Sequence, residues 1–392
     1  MKKAAAPLLL LLALSACSPR LYNVTTHYDD AHFAELQKVI DSPTTSSKLM
    51  FSYTEAADLG LIGKMFNDTP NPYHRIDTAR YKGMTDGERF QATVPAGLAV
   101  AFSTNSSAIS VKTEWGRTRE MTTTMPLSYR GYDLYIKNSA GQWQWAGAGC
   151  SREAADDEAV VLVKNLPEGE KECLLFLPIY CEVLSCKIGV TAGSHIVRLG
   201  GQFRHKLLFH GSSFTQGIST SRAGMSYPMQ FMRGTGMEVL AFGMSGNCKL
   251  QPYFADVIAD VEADAYVFDT FSNPDYKTIS ERLIPFIDRM IEAHPGKPLI
   301  FQQTIRRESR GFNMVSDATE QARQDMASSI FDTILKDPRY KDVYFITPDA
   351  CEPGVHEYSV DGTHPDDHGY RLWYKSIEKP VLQILAKYGI RN

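Results

Sequence analysis

The alternation of apolar and polar residues changes once along the chain, around residues 194–204. Between about Leu49 and Val197, short runs place apolar residues at every second position and are separated by Gly, Asn, Pro and Ser clusters, which predicts β-strands. Five or more such strands without long helices predict an all-β sandwich or jelly-roll. The predicted strands are Val94–Phe102, Ala108–Trp115, Leu134–Ile136, Val160–Leu166, Leu174–Leu177 and Val183–Ile188.

From residue 201 onward, short apolar runs alternate with amphipathic helices. Apolar residues recur at three- and four-residue spacing in 279–291 and 322–334, and the last helix, 366–387, contains Pro380, which should bend it. This alternation predicts a parallel sheet covered by helices on both faces, with its site at the carboxyl edge of the strands. The predicted strands are Leu207–His210, Glu238–Phe242, Ala265–Phe268, Pro298–Gln302 and Val343–Ile346.

Length and charge narrow the class of protein. A chain of 392 residues suggests two ordinary domains, which we place at 49–200 and 201–392. The hydrophobic fraction of 43% and the formal net charge of −4 are those of a globular protein without the basic surface that nucleic acid requires. We therefore expect no nucleic-acid partner.

The first 17 residues have the pattern of an export signal. Lys2 and Lys3 precede the apolar run Ala4–Leu14, which is too short to span a membrane as a mature helix. The following Leu-Ser-Ala-Cys sequence resembles a bacterial lipobox and implies that Cys17 carries lipid. The chain is then expected to be exported and anchored in the periplasm or at the cell surface, with 18–48 as a tether containing a short helix near 33–40. A plain cleaved signal peptide is the alternative.

Six cysteines remain after Cys17. An even number in an exported chain permits disulfides, but buried free thiols are an equally good interpretation. Their spacing does not match a zinc finger, and we expect neither a metal nor a cofactor. These cysteines are Cys150, Cys173, Cys181, Cys186, Cys248 and Cys351.

Ser213 is the candidate nucleophile. It lies in the octamer His210–Gly217, between the apolar strand 207–209 and a segment with a helical pattern. A serine next to small residues at a strand-to-helix turn is exposed at the carboxyl edge of an α/β sheet. His210 itself is interpreted as a strand-end residue with a satisfied ring.

Asp361 and His364 are the candidate acid and base. A serine hydroxyl needs a base, and the base needs an acid that fixes its tautomer. The D-x-x-H spacing in the loop after the last strand lets Asp361 reach one ring nitrogen of His364 while the other faces Ser213. A metal site formed by these two residues and His368 is the weaker alternative.

Two further loops could stabilise an oxyanion. Gly246 follows the second strand of the parallel sheet, and Asn273 follows the third. The backbone N–H of Gly246 and the side-chain amide of Asn273 are suitable donors, and both loops should open at the same edge as Ser213.

Four sequence blocks in this order resemble the SGNH, or GDSL-type, hydrolase superfamily. They are Gly211–Gly217, Ser245–Asn247, Asn273-Pro274 and Asp361–Pro365. Gly131–Tyr135 forms a G-x-D-L-Y string, and with 221–228 it resembles one bacterial branch in which a β domain precedes the hydrolase. The resemblance implies a three-layer, flavodoxin-like hydrolase domain after a β-sandwich.

The resemblance also implies the roles of the site residues. Ser213 would be the nucleophile, His364 the base and then the acid, and Asp361 the residue that orients His364. The N–H groups of Ser213 and Gly246 and the amide of Asn273 would form the oxyanion hole. Ser212 stands where the family usually has Asp, which puts that residue's bracing role in doubt, and Cys248 has no evident function.

The expected activity is that of a cofactor-independent serine esterase that deacetylates carbohydrates. A lysophospholipase or lipase is the enzymatic alternative, and an inert glycan-binding surface lipoprotein is the alternative of another class. Trp115, Trp143 and Trp145 in the β region could stack on sugars, but packing of one strand face is the simpler interpretation of Trp143 and Trp145. The oligomeric state is left open.

Overall fold

The computed structural model describes residues 29–42, 49–152, 159–350 and 354–391, which fall into two units, 1–48 and 49–392. In the first unit, helix α1 (Asp30–Ile40) confirms the expected short helix, and the Asp29 carboxylate caps it by accepting from the His32 N–H at 2.9 Å. The proposed signal, with Cys17, lies outside the described residues, as does Cys351. Among the described helices, none has the length and apolarity to cross a membrane.

The β region is a sandwich of two antiparallel sheets, as predicted. One sheet has the order β1-β9-β4-β7, and the other has the order β10-β3-β8-β5-β6 with β2 beside β3. Apolar side chains from both sheets form the core between them. The strands are β1 (Phe51–Glu55), β2 (Leu61–Ile62), β3 (Ala99–Thr104), β4 (Ile109–Trp115), β5 (Tyr132–Lys137), β6 (Trp143–Gly149), β7 (Val160–Val163), β8 (Lys171–Phe176), β9 (Val183–Thr191) and β10 (Ile196–Arg198).

Two short helices interrupt this β region and were not predicted. Helix α2 (Asp86–Thr93) begins with a capping box, in which the side chains of Thr85 and Glu88 each accept from the other's backbone N–H. Helix α3 (Pro126–Tyr129) has proline in its first turn. The Thr-x-x-Glu signal for α2 is visible in the sequence, but the helix has only eight residues.

Strand β3 is buried on both of its faces. Val100 and Phe102 point into the sandwich core, whereas Ala99 and Ala101 pack against the α/β region. This contact is close, because a Cβ atom added to Gly97 would lie 2.5 Å from the Cβ of Ala241. Small residues therefore allow the sandwich and the α/β region to form one compact unit.

The α/β region contains a five-stranded parallel sheet with the order β12-β11-β13-β14-β15, the flavodoxin-like order. Helices α5 and α9 cover one face, and α6, α7 and α8 cover the other, which confirms the three-layer prediction. The strands are β11 (Arg204–Gly211), β12 (Met237–Gly243), β13 (Ala265–Asp269), β14 (Leu299–Gln302) and β15 (Val343–Ile346). The helices are α4 (Ser213–Gln216), α5 (Tyr227–Thr235), α6 (Pro252–Ala259), α7 (Tyr276–Ala293), α8 (Met314–Ile334) and α9 (Asp367–Lys387).

Three strands end side by side at the carboxyl edge of this sheet. Gly211, the last residue of β11, is in register with Gly243 of β12 and with Asp269 of β13. The approach is tight, since a Cβ atom added to Gly243 would lie 2.3 Å from the backbone nitrogen of Gln216. The loops that follow these strands therefore start next to one another.

The tryptophan and cysteine predictions have mixed outcomes. Trp143 is partly buried and stacks on Phe203, as expected for a packed face. Trp145 is 51% exposed and lies under the Arg222 guanidinium. The prediction of core packing is therefore wrong for Trp145. The described cysteines are all free thiols: Cys150, Cys173, Cys181, Cys186 and Cys248.

Candidate active site

Ser213 is the first residue of α4, directly after β11. The hydroxyl of Ser212 caps this short helix by accepting from the Phe214 N–H at 3.2 Å. Gly217 ends it with a φ of +95°, in the left-handed region that favours glycine. The turn holds Ser213 at the sheet edge with only 5% of its surface exposed.

A buried carboxylate braces this turn from the end of β13. Oδ2 of Asp269 accepts from the Ser212 hydroxyl at 3.0 Å, from the Ser212 N–H at 3.4 Å and from the Thr215 hydroxyl at 3.3 Å. Oδ1 accepts from the Ser272 hydroxyl at 3.2 Å. Burial raises the pKa of Asp269 to about 7, against these hydrogen bonds, which lower it. The loop is thus braced by an aspartate despite the serine at position 212.

Asp361 and His364 meet Ser213 as the sequence predicted. Oδ2 of Asp361 lies 2.8 Å from Nδ1 of His364, and Nε2 of His364 lies 3.0 Å from the Ser213 hydroxyl oxygen. Partial burial acts to raise the pKa of Asp361, but the hydrogen bonds from the His364 backbone and ring outweigh it and hold that pKa below its ordinary value. Because an ionised Asp361 only accepts, Nδ1 donates to it and Nε2 can accept from Ser213.

The loop that carries His364 is held mostly by local contacts. Oδ1 of Asp361 accepts from the backbone N–H groups of Thr363 and His364 at 2.9 and 2.7 Å. Across the loop, the Val360 N–H donates to the carbonyl of His364 at 2.9 Å. Two residues from the loop after β14 also contact it: the Ser309 N–H donates to the Gly362 carbonyl at 2.9 Å, and the Glu308 carboxylate accepts from the Glu357 N–H at 2.6 Å.

Three donor groups have no acceptor among the described residues: the backbone N–H groups of Ser213 and Gly246 and the side-chain NH2 group of Asn273. Oδ1 of Asn273 accepts from the Cys248 N–H at 3.2 Å, which leaves its NH2 group as a donor. Cys248 thus orients Asn273 through its backbone. Gly246 has a φ of +71°, so a side chain there would strain the loop.

Two glutamines, one from the β region and one from α4, support the loop that carries Gly246. Gln91 at the end of α2 donates to the carbonyl of Ser245 at 2.8 Å, and Gln216 accepts from the Ser245 N–H at 3.0 Å. Sequence reasoning missed both glutamines: Gln91 belongs to no recognisable motif, and Gln216 lies within the Gly211–Gly217 block without a predicted role.

The G-x-D-L-Y string of the β region also contacts the α/β region through hydrogen bonds. Asp133 in β5 is fully buried, and its oxygens accept from Nε of Arg222 and from the Gly224 N–H, both at 3.1 Å. The segment that contains Arg222 and Gly224 follows the nucleophile turn directly. The string therefore joins the two regions next to the site, a role that its sequence alone did not predict.

The remaining histidines lie elsewhere. His210 is fully buried, and its Nδ1 lies 2.9 Å from the Phe242 carbonyl, which confirms a satisfied ring; burial lowers its pKa to about 4. His368 is exposed and lines a different cavity from His364. Within the described residues, no group of three or more His, Cys, Asp or Glu side chains is arranged to hold a metal ion.

The triad opens into a cavity of about 360 Å³. No residue that lines it has an apolar side chain, and its walls combine hydroxyl, amide and basic groups. The lining residues are Ser213, Ser245, Gly246, Lys249, Ser272, Asn273, Arg307, Arg323, Thr363 and His364.

Two family models match the chain. Residues 204–383 match the GDSL-like Lipase/Acylhydrolase family, and residues 51–196 match the N-terminus of Esterase_SGNH_hydro-type. A crystal structure described as a GDSL-like lipase from Bacteroides ovatus is 35% identical, covers 86% of this chain and 98% of its own, and has a TM-score of 0.82. The chain belongs to the GDSL-like lipase/acylhydrolase family. As a member of this family, it is a hydrolase that cleaves esters.

More distant structures share the fold of this GDSL-like hydrolase. The salicylyl-acyltransferase SsfX3 from a tetracycline biosynthetic pathway is 17% identical over 87% of this chain and 98% of its own, with a TM-score of 0.65. A family two carbohydrate esterase from Cellvibrio japonicus is 12% identical over 86% and 99%, with a TM-score of 0.56. Among curated proteins, none matches the sequence.

Proposed function

We propose that this hydrolase deacetylates carbohydrates through a covalent acyl-enzyme formed on Ser213. The observation that carries the proposal is the continuous chain from Asp361 through His364 to Ser213, with contacts of 2.8 and 3.0 Å. Such a chain activates a serine hydroxyl, because the base takes its proton and the acid stabilises the resulting imidazolium.

In the proposed first step, Ser213 attacks the ester carbonyl while Nε2 of His364 removes the hydroxyl proton. The oxyanion accepts hydrogen bonds from the N–H groups of Ser213 and Gly246 and from the amide of Asn273. His364 then gives its proton to the departing alcohol, which leaves an acetyl ester on Ser213. Water, deprotonated by His364, hydrolyses that ester and restores the free serine.

The side chains that line the cavity support a small acyl group on a hydroxylated alcohol. A long acyl chain is best bound among apolar side chains such as leucine or phenylalanine, and none of the ten lining residues has one. A carbohydrate esterase is also among the proteins that share this fold.

A chain-length series of nitrophenyl esters separates this proposal from the lipase alternative. We expect kcat/KM to be highest for acetate and to fall toward octanoate. A preference for octanoate would contradict the proposal and favour a lipase.

Covalent labelling tests the nucleophile directly. A fluorophosphonate should label the wild-type protein at Ser213, as located by mass spectrometry of the peptides, and should not label Ser213→Ala. On nitrophenyl acetate, Ser213→Ala should lower kcat by about 10⁴-fold or more. An unlabelled wild type would instead support an inert, glycan-binding protein.

The substrate can be found by mass spectrometry of deacetylation products. Acetylated xylan, pectin and manno-oligosaccharides are the first candidates, and release of acetate from at least one of them is expected. If nitrophenyl acetate is cleaved but no acetylated saccharide is, the carbohydrate assignment is wrong.

We also propose that the protein is exported and anchored to a membrane through lipid on Cys17. The support is the basic, apolar and Leu-Ser-Ala-Cys pattern of residues 2–17. In a bacterial host, radiolabelled palmitate should enter the wild-type protein and not Cys17→Ala. Export of unlabelled wild-type protein would point to a plain cleaved signal.

A further inference from the structure

Three basic side chains line the cavity that contains Ser213. Lys249 lies in the loop after β12, Arg307 lies in the loop after β14, and Arg323 lies on α8. They come from three separate parts of the chain and meet only in the folded protein. None of the three has a place in the proposed acyl-transfer steps.

One buried carboxylate contacts two of these cations. Glu320, which is 3% exposed, accepts from Nη1 of Arg307 at 2.9 Å and also from Nη1 of Arg323. Among the described residues, Lys249 forms no ion pair. Among the described residues, no carboxylate lines the cavity itself, and the carboxylate of Asp361 pairs with His364. The cavity wall therefore carries more positive than negative charge.

The guanidinium groups also keep unused donors. Nε of Arg307, Nε of Arg323 and Oε2 of Glu320 are buried and have no hydrogen-bond partner among the described residues. Nη2 of Arg307 donates to the Ser272 carbonyl at 2.6 Å. Nη2 of Arg323 has no hydrogen-bond partner among the described residues, and Arg323 lines the cavity. Arg323 thus has one donor, Nη2, that is free to bind a group in the cavity.

A free guanidinium nitrogen on the cavity wall matches an anionic group. Hydrogen bonds from a guanidinium to a carboxylate or sulfate oxygen are charge-assisted and therefore stronger than those between neutral groups. Arg307 is less available to bind an anion, because its guanidinium also packs over the Phe214 ring at 5.6 Å from the ring centre. Arg323 and the exposed Lys249 are the residues best able to receive an anion beside Ser213.

We infer that the acetylated sugar carries an anionic group next to the scissile ester, and that Arg323 and Lys249 bind this group. A uronic-acid carboxylate or a sulfate ester supplies the required chemistry. This inference rests on the proposed carbohydrate deacetylase function and specifies its substrate class.

Substrate pairs that differ only in charge test the inference. The first pair is an O-acetylated oligogalacturonide and its methyl ester, and the second is an O-acetylated, O-sulfated oligosaccharide and its desulfated form. For at least one pair, the wild type should have a kcat/KM about 10- to 100-fold higher on the charged member, the range expected for a hydrogen bond to a charged group. The preferred pair distinguishes carboxylate from sulfate.

Variants then assign the preference to residues. Arg323→Gln and, separately, Lys249→Gln should bring the charged-to-neutral ratio of kcat/KM toward one. Arg289→Gln, on α7 and outside this cavity, is the matched control and should keep the wild-type ratio. If Arg323→Gln fails to fold, Lys249→Gln still decides, because Lys249 is exposed and forms no ion pair among the described residues.

Equal kcat/KM values on both members of both pairs would overturn the inference and leave the deacetylase proposal intact. A wild-type preference that neither variant reduces would also overturn the assignment to Arg323 and Lys249. Cleavage of nitrophenyl acetate without cleavage of any saccharide would overturn both the inference and the deacetylase proposal.

Discussion

The loop that carries Ser213 and the loop that carries His364 are built differently. Ser213 lies in a buried turn whose supports come from other strands and from the β region, with Asp269 directly beneath it. His364 lies in a partly exposed loop that is closed by its own residues, above all by Asp361. The nucleophile is therefore positioned by tertiary packing, whereas the base is positioned largely by a local turn.

This difference predicts different consequences of mutation. A change in the local turn should alter catalysis with little effect on stability, because few buried contacts depend on it. A change beneath the nucleophile turn should alter stability as well, because it leaves buried polar groups without partners. Four substitutions test this contrast.

Asp361→Asn should have the largest effect. Asparagine keeps a carbonyl oxygen for the backbone N–H groups of Thr363 and His364 but no longer favours the Nδ1–H tautomer of His364. We expect kcat on nitrophenyl acetate to fall by about 10³- to 10⁴-fold, with an unchanged melting temperature. Asp366→Asn, which retains the N-cap of α9, is the control. A kcat within tenfold of wild type would contradict the orienting role.

Asp133→Asn should lower stability most clearly. It weakens the buried contacts to Arg222 and Gly224 that join the β region to the segment after the nucleophile turn. The free energy of unfolding, measured with urea, should fall by roughly 1–3 kcal/mol. Asp58→Asn, at an exposed position, is the control and should leave the free energy of unfolding unchanged. If both variants unfold like wild type, Asp133 does not join the two regions energetically.

Asp269→Asn should change how stability depends on pH. In the folded protein the pKa of Asp269 is about 7, against an ordinary value of 3.8, so the folded state holds a proton that the unfolded state has released. Its contribution to stability is full below about pH 4 and is lost as pH rises to about 7. Asparagine does not titrate, so the variant does not lose stability in this way. When the pH is raised from 4.5 to 8, the melting temperature of the variant should therefore fall by roughly 2–4 °C less than that of wild type. Parallel curves would contradict the raised pKa.

Glu308→Gln should have the smallest effect. Glu308 supports the His364 loop through the backbone of Glu357 and the hydroxyl of Ser359, and both contacts lie near the surface. We expect kcat to fall about two- to fivefold, with a change in unfolding free energy below about 0.5 kcal/mol. A loss of stability as large as that of Asp133→Asn would show that the base loop also depends on tertiary packing.

Much of the fold could be predicted because it follows from short-range patterns. The alternation of strands and helices after residue 201 is confirmed, and so are the β-strands before it. Helix α2 was missed because its eight residues make only about two turns, too short a stretch for a pattern to stand out among the strands. Trp145 was assigned to a packed face, but strand alternation does not show which face of a sheet meets solvent.

The candidate site also combines residues that the sequence predicted with residues that only the structure revealed. The sequence pointed to Ser213, Asp361, His364, Gly246 and Asn273, and the structure brings all five to one sheet edge; their catalytic roles remain predictions. Asp269, by contrast, resembles an ordinary strand-end residue in the sequence. Its support of Ser212 exists only because β11 and β13 lie side by side, far apart in sequence.

By itself, the sequence determined the periodicity of the elements, the serine, histidine and aspartate motifs, and the family that they resemble. These properties depend on residues within a few positions of one another. Only the tertiary structure decided which carboxylate supports the nucleophile turn, how Asp133 joins the two regions, and that Lys249, Arg307 and Arg323 line one cavity. The physical reason is that burial and charge at a site depend on which distant segments pack together, and local pattern does not contain that information.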